Sequence, residues 1–227
     1  LYERHKLLMY PRTDSRYLSA DIVATIPDRL RAIAIPAYRS AANKIQAQPI
    51  KANKSFVDDT KVSDHHAIIP TEEVVQLQKL TDRERKIYDL VVKRFLAVLS
   101  PNEVWEQVTL EVDLNGERFF AKGRTIISAG WRDIYNHRED DEGEVKEQIL
   151  PQLQAGTAIT LDYVNETSGQ TKPPAPFTEA TLLSAMENPT SYMEATDKKL
   201  AQTLKETGGL GTVATRADII DKLFNSF

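Results

Sequence analysis

An α+β fold is predicted for this 227-residue chain from three observations. Apolar residues recur at helical spacing as far as about residue 100, the period then switches to strict alternation after Pro101, and helical spacing returns after the prolines at 173, 174 and 176. Those two changes of period mark three stretches, 1–100, 101–176 and 177–227, which are expected to be a helical domain, a β-rich domain and a further helical segment.

In the first stretch, Ser19 is placed to cap a short helix through Ile26, and Pro27 suits the first turn of the next, through Leu30 and Ile33. Thr81 and Glu84 have the spacing of a capping box, ahead of a stripe formed by Ile87, Leu90, Val91, Phe95, Val98 and Leu99 that ends before Pro101. That stripe is read as core packing. In the second stretch Val108, Leu110, Val112 and Leu114 alternate with polar residues, and Asn115-Gly116 predicts a type I′ hairpin turn into Glu117–Lys122. The mostly acidic run at 138–148 reads as a solvated loop, and Ala158–Val164 alternates again as a further strand. In the third stretch Thr178 caps a helix through Leu182, Leu183 and Met186. A last helix starts near Thr212–Thr215, with Ile219, Ile220, Leu223 and Phe224 as its buried face.

With 41% hydrophobic and 27% charged residues the composition argues against disorder. No apolar run approaches the roughly 18 to 20 residues that span a membrane, so no membrane association is expected. The chain has no cysteine, which excludes disulfides and thiolate metal sites and suits a reducing compartment. The net charge of −4 hides an asymmetry: residues 1–62 carry 11 Lys/Arg against 6 Asp/Glu, and the remainder 18 against 27. The basic first third favours a surface that faces a polyanion, with a merely solvated helix face as the commoner alternative for such an excess.

Chemistry concentrates in Tyr10-Pro11-Arg12-Thr13-Asp14-Ser15-Arg16. Pro11 disfavours a helical Tyr10, and in an extended chain the side chains of residues 10 and 12 share a face. A phenol, with an ordinary pKa of about 10, needs a cation or base before it attacks anything near neutral pH. Arg12 could hold a phosphate diester against it. Asp14 and Ser15 are read as caps of a helix after this turn. Arg16 could reach a neighbouring phosphate or remain solvated. Further on, Gly209, Gly211 and Thr212 ahead of a helix N-terminus form an anion-receptive pattern, because small residues admit close approach and free amides favour phosphate. A turn that merely joins two helices is the alternative.

The segment YPRTDSRYL resembles the active-site segment of the type IA DNA topoisomerases, and three further stretches resemble that family in its own order. His65-His66-Ala67-Ile68-Ile69-Pro70-Thr71 is similar to its HxAIxPT element, Phe177–Leu182 to its [FY]TEATL element, and Gly209–Ala217 to its glycine-rich element ending in ATRA. The wording is closer to the topoisomerase III branch than to bacterial topoisomerase I. The resemblance implies a winged-helix-like (CAP-like) domain carrying Tyr10, an antiparallel β arch, and the start of a domain that packs on the core of a toroid. It implies Tyr10 as the nucleophile that keeps a 5′ phosphate, Arg12 on that phosphate, and His65 donating to a phosphate oxygen or helping carry a proton. Asp64 could orient His65 or cap its turn, and His66 is given no role. Arg16, Gly209, Gly211, Thr212, Thr215 and Arg216 are expected to contact single-stranded DNA. The family's Mg²⁺ and its acidic ligands belong to a TOPRIM domain N-terminal to this region, and no metal ligand is assigned in this chain. The absence of an initiator Met and a helical pattern running into Phe227 suggest a fragment, unable to cleave DNA unaided. A monomer in the bacterial cytoplasm, associated with the nucleoid, is expected. The alternatives are a non-catalytic winged-helix DNA-binding module and a tyrosine recombinase, whose arginine and histidine pattern is not seen.

Overall fold

A computed structural model describes residues 1–135, 149–193 and 198–226, and the acidic run read as a loop at 138–148 lies outside them. Helices and one two-stranded antiparallel sheet make up the described regular structure, so the α+β expectation holds. The chain groups into two compact units, Leu1–Ala158 and Ile159–Phe227, each described by itself below.

In the first unit, helices α1 (Ile26–Ala32), α2 (Arg39–Gln46) and α3 (Asp82–Leu99) enclose a core with Ile26, Leu30, Ile33, Ala42, Tyr88 and Val92 fully buried. Pro27 lies in the first turn of α1, as its missing N–H and fixed φ favour. Thr81 and Glu84 form the capping box at the start of α3, each satisfying a backbone donor of the other. Glu84 accepts from the Thr81 amide and hydroxyl and lies beside His5, which holds its carboxyl well below the usual range, at about 2.

Several sequence expectations need correction. Of the stripe read on α3, Phe95 is buried and Val91, Val98 and Leu99 pack partly buried against the core, but Ile87 and Leu90 are exposed and the buried face is completed by Tyr88, Val92 and Leu96. The core-facing side of this helix is therefore rotated slightly from the predicted stripe, towards fully buried Tyr88 and Val92. The first hundred residues are less helical than their spacing suggested: Ala20–Thr25 is a 3₁₀ helix, and 47–81 is mostly irregular, with short 3₁₀ turns at Asp59–Lys61 and Leu77–Lys79. Ser15 caps no helix, because its hydroxyl donates to the Lys61 and Tyr17 carbonyls and the chain continues extended to Leu18.

Strands β1 (Val104–Leu114) and β2 (Glu117–Ser128) form the predicted hairpin. Asn115 and Gly116 take φ of +54° and +93°, the pair of left-handed residues a type I′ turn requires. Ala158–Val164 is not a strand. Its alternation is real, but no neighbouring strand among the described residues offers it a ladder, and an unpaired alternating segment forms no sheet.

The second unit contains α4 (Glu179–Glu187), α5 (Lys198–Glu206), which the sequence reading missed, and α6 (Arg216–Ser226). Thr178 caps α4 as expected, its hydroxyl accepting from the Thr181 amide. On α6 only Ile220 of the four expected apolar residues is buried, while Ile219, Leu223 and Phe224 are exposed.

Candidate active site

Tyr10 and His65 are remote in sequence, and extended backbone brings them together. Leu8 pairs antiparallel with Pro70, Met9 N–H donates to the Ile69 carbonyl (3.0 Å), and Thr71 N–H donates to the Leu7 carbonyl (3.0 Å). Beyond the intervening loop, Ala67 N–H donates to the Tyr17 carbonyl (2.8 Å). Leu7, Leu8, Leu18, Ile69 and Pro70 are buried, so both segments are anchored in the core while the residues between them are left at the surface.

Within that frame the Tyr10 and His65 rings lie 4.3 Å apart between centroids, tilted by 44°. The Thr13 hydroxyl donates to the His65 carbonyl (2.9 Å) and accepts from the Ser15 amide (3.1 Å), which ties the two motifs directly. Tyr10 is half-buried, whereas Arg12, Arg16 and His65 are exposed. This disposition leaves a tyrosine packed by its ring and cationic side chains exposed at the surface, where an anion arriving from solvent could meet them. His66 is turned away from such a role, its Nδ1 lying 2.7 Å from the Ala67 carbonyl oxygen.

Three residues of this region were missed by sequence reasoning. Tyr2 packs against Tyr10 with centroids 5.4 Å apart at 79°. Lys61 donates to the Tyr17 hydroxyl (3.0 Å), and that hydrogen bond holds the ammonium above the usual lysine value. Arg29 is only 3% exposed and donates from Nη1 to the Pro70 carbonyl (2.6 Å), from Nε to the Thr25 hydroxyl (2.8 Å), and from Nη2 to Glu72 (2.8 Å). Burial lowers its pKa and Glu72 pulls the other way. None of these contacts repeats at a fixed spacing, so periodicity held no signal for them.

The glycine-rich loop belongs to the second unit. Gly209 and Gly211 take φ of +95° and +69°, and Leu210 N–H donates to the Met186 carbonyl (2.8 Å), so the loop is folded against the end of α4. The Thr212 amide is not free for an anion, since it donates to the Thr215 hydroxyl (2.9 Å). Arg216 is 6% exposed and points inward, donating to the carbonyls of Leu210 (3.1 Å) and Gly208 (2.5 Å) and lying 3.5 Å from Glu187. Its guanidinium is engaged in holding the loop.

Among the described residues no three His, Asp or Glu side chains group so as to hold a metal ion. No helix among them is long and apolar enough to cross a membrane.

The site thus joins a half-buried tyrosine in ring contact with His65 to an exposed arginine two residues further along the chain. The model of the DNA topoisomerase family matches residues 1–226, and the chain belongs to that family. It is similar over its whole length to proteins named DNA topoisomerase 3: 64% identical to one from Bacillus cereus, 64% to one from Bacillus thuringiensis, and 55% to that of Bacillus subtilis. The expected topoisomerase III branch is thereby supported. The chain spans 32% of the length of each of these relatives.

Proposed function

We propose that this chain is the tyrosine-bearing part of a type IA topoisomerase that cuts and rejoins single-stranded DNA. The observation carrying this reading is the contact between the Tyr10 and His65 rings, made by backbone pairing between two segments of remote sequence. Breaking and resealing a strand without an energy source requires an intermediate that keeps the phosphodiester's free energy, and a tyrosyl phosphodiester does so.

In the proposed step the Tyr10 oxygen attacks the scissile phosphorus, the bond from phosphorus to the 3′ oxygen breaks, the phenol proton departs, and the 3′ oxygen takes up a proton. The 5′ phosphate stays on Tyr10. Arg12, exposed two residues away, meets the non-bridging oxygens, and loss of one such donor typically costs about a hundredfold or more in rate. His65 donates to a phosphate oxygen or carries the proton. Attack by the 3′ hydroxyl reverses the step after strand passage, which relaxes or decatenates DNA. Arg16 takes a neighbouring phosphate, and the loop of Gly209, Gly211, Thr212 and Thr215 faces the strand's backbone, with Arg216 shaping that loop from beneath.

The same reading assigns residues 1–100 to a winged-helix-like domain, 101–176 to the arch of a toroid and 177–227 to the core-packing domain. Its remaining parts are a TOPRIM domain of the same polypeptide that brings Mg²⁺, a monomeric state, and a place on the bacterial nucleoid in the cytoplasm. With a third of the relatives' length, this stretch alone is inactive.

The test incubates the full-length protein with labelled single-stranded DNA and traps any adduct with denaturant. A Tyr10-linked 5′ phosphate with a free 3′ hydroxyl is expected, absent in Tyr10→Phe while DNA binding persists. An adduct that survives Tyr10→Phe, or one joined through a 3′ phosphate, overturns the reading.

A further inference from the structure

We propose that Tyr2 is a positioning residue for the nucleophile, an inference that rests on Tyr10 being that nucleophile. Two hydrogen bonds close the preceding turn: Lys6 N–H donates to the Tyr2 carbonyl (3.1 Å) and Leu7 N–H to the Leu1 carbonyl (2.9 Å). Lys6 takes a left-handed φ of +53°, unusual for a residue with a side chain. The turn folds the chain back so that the Tyr2 ring meets that of Tyr10.

Tyr10 thereby makes ring contacts with two neighbours, Tyr2 near perpendicular at 5.4 Å and His65 tilted at 4.3 Å. Perpendicular packing of two aromatic rings is an attractive geometry, because a positive ring edge meets a negative face. A phenol that must reach one phosphorus reacts slowly if its ring samples several rotamers, and each ring contact narrows that choice. Tyr2 supplies the second of the two. Tyr2 is itself 41% exposed and lies outside the buried core, so its ring contributes little to the stability of the first unit. The contact is therefore better explained by what it does to Tyr10 than by core packing.

The experiment uses full-length protein carrying Tyr2→Ala or Tyr2→Phe, and measures single-turnover cleavage of a labelled single-stranded oligonucleotide at saturating protein, with Kd and Tm measured in parallel. Tyr2→Ala is expected to cleave about three- to tenfold more slowly with Kd and Tm unchanged, since an aromatic pair of this kind contributes that order of preference. Tyr2→Phe keeps the ring and restores the rate. The proposal is overturned if Tyr2→Ala cleaves at the wild-type rate, if Tyr2→Phe is as slow as Tyr2→Ala, or if the lost activity follows a weakened Kd or a lowered Tm. Tyr10→Phe serves as the reference. If it still forms the adduct, the nucleophile assignment has failed; if it forms none while Tyr2→Ala is normal, only the positioning role has failed.

Discussion

Replacing Arg29 with Met should disturb the active-site frame more than any substitution at its ion-pair partner. The Pro70 residue is almost fully buried, and the Arg29 Nη1 donor 2.6 Å away is what satisfies its carbonyl. Removing the donor strands that oxygen, which costs about 1–3 kcal/mol. The Thr25 hydroxyl is not stranded, because it also donates to the Ile22 carbonyl (2.8 Å), and Glu72, with its side chain 46% exposed, returns to water. Met recovers part of the packing and removes a desolvated cation, so the balance is a loss of about 1–2 kcal/mol. Glu72→Gln touches only the wet end of the network and should cost about 0.5 kcal/mol or less. Urea unfolding gives the totals, and hydrogen exchange at the Met9 and Thr71 amides reports on the paired segments themselves. Arg29→Met should speed exchange at both amides while Glu72→Gln leaves them protected. Equal effects from the two variants, or unchanged protection in Arg29→Met, would refute the view that this buried arginine fixes the backbone pair.

Two buried tyrosines should respond with opposite signs. The Tyr38 hydroxyl donates to Asp89 (2.9 Å), so Tyr38→Phe loses about 1 kcal/mol, whereas the Tyr88 hydroxyl is buried with no partner among the described residues, so Tyr88→Phe gains about 1 kcal/mol; urea midpoints decide both. Gly209→Ala forces a side chain onto φ +95° and against the carbonyls of Met186 and Glu187, costing at least about 2 kcal/mol. Gly208→Ala, at φ +74° with open space around it, costs about 1 kcal/mol, and thermal unfolding compares the two. Glu84, depressed to about 2 when folded and near 4.3 when unfolded, contributes stability that is fully present above about pH 4.3 and lost as pH falls towards 2. Glu84→Gln should abolish that part of the acid dependence, seen by comparing unfolding of the two proteins across the acid range. In the full-length protein Arg12→Ala should lower the salt dependence of single-stranded DNA binding by about 0.7 in slope, the value for one lost phosphate contact, while Arg216→Ala leaves the slope unchanged because that guanidinium already faces carbonyls.

What could be read in the sequence was local. The Thr81–Glu84 capping box, the Asn115-Gly116 turn and the Thr178 cap each rest on residues within a few positions of one another, and each is present. The strand expected at Ala158–Val164 failed because a strand is a property of two segments, and no second one among the described residues pairs with it. The face of α3 was legible only in part: Phe95, Val91, Val98 and Leu99 meet the core as their spacing suggested, but the exact rotation that buries Tyr88 and exposes Ile87 and Leu90 depends on what packs against the helix. At the site, the four-motif resemblance named Tyr10 and His65, yet their contact depends on the pairing of Leu8 with Pro70 and on Arg29, neither of which any spacing announces.

Two of the three arginines expected at DNA, Arg12 and Arg216, show why a motif position and a role are different things. Arg12 lies exposed on a loop whose two ends are fixed by backbone pairing, so its charge is solvated until an anion replaces the water. Arg216 stands in an equally distinctive motif, but three loop carbonyls and Glu187 surround its guanidinium, and its charge is already offset. An arginine so engaged would have to abandon several hydrogen bonds to grip DNA, at a net cost of about 1 kcal/mol or more for each. The same bonds explain how Gly208, Gly209 and Gly211 can all hold left-handed backbone without the loop collapsing, since the carbonyls such a path leaves unpaired are the ones the guanidinium satisfies. The motif therefore encodes the shape of a surface, and its arginine holds that shape from within.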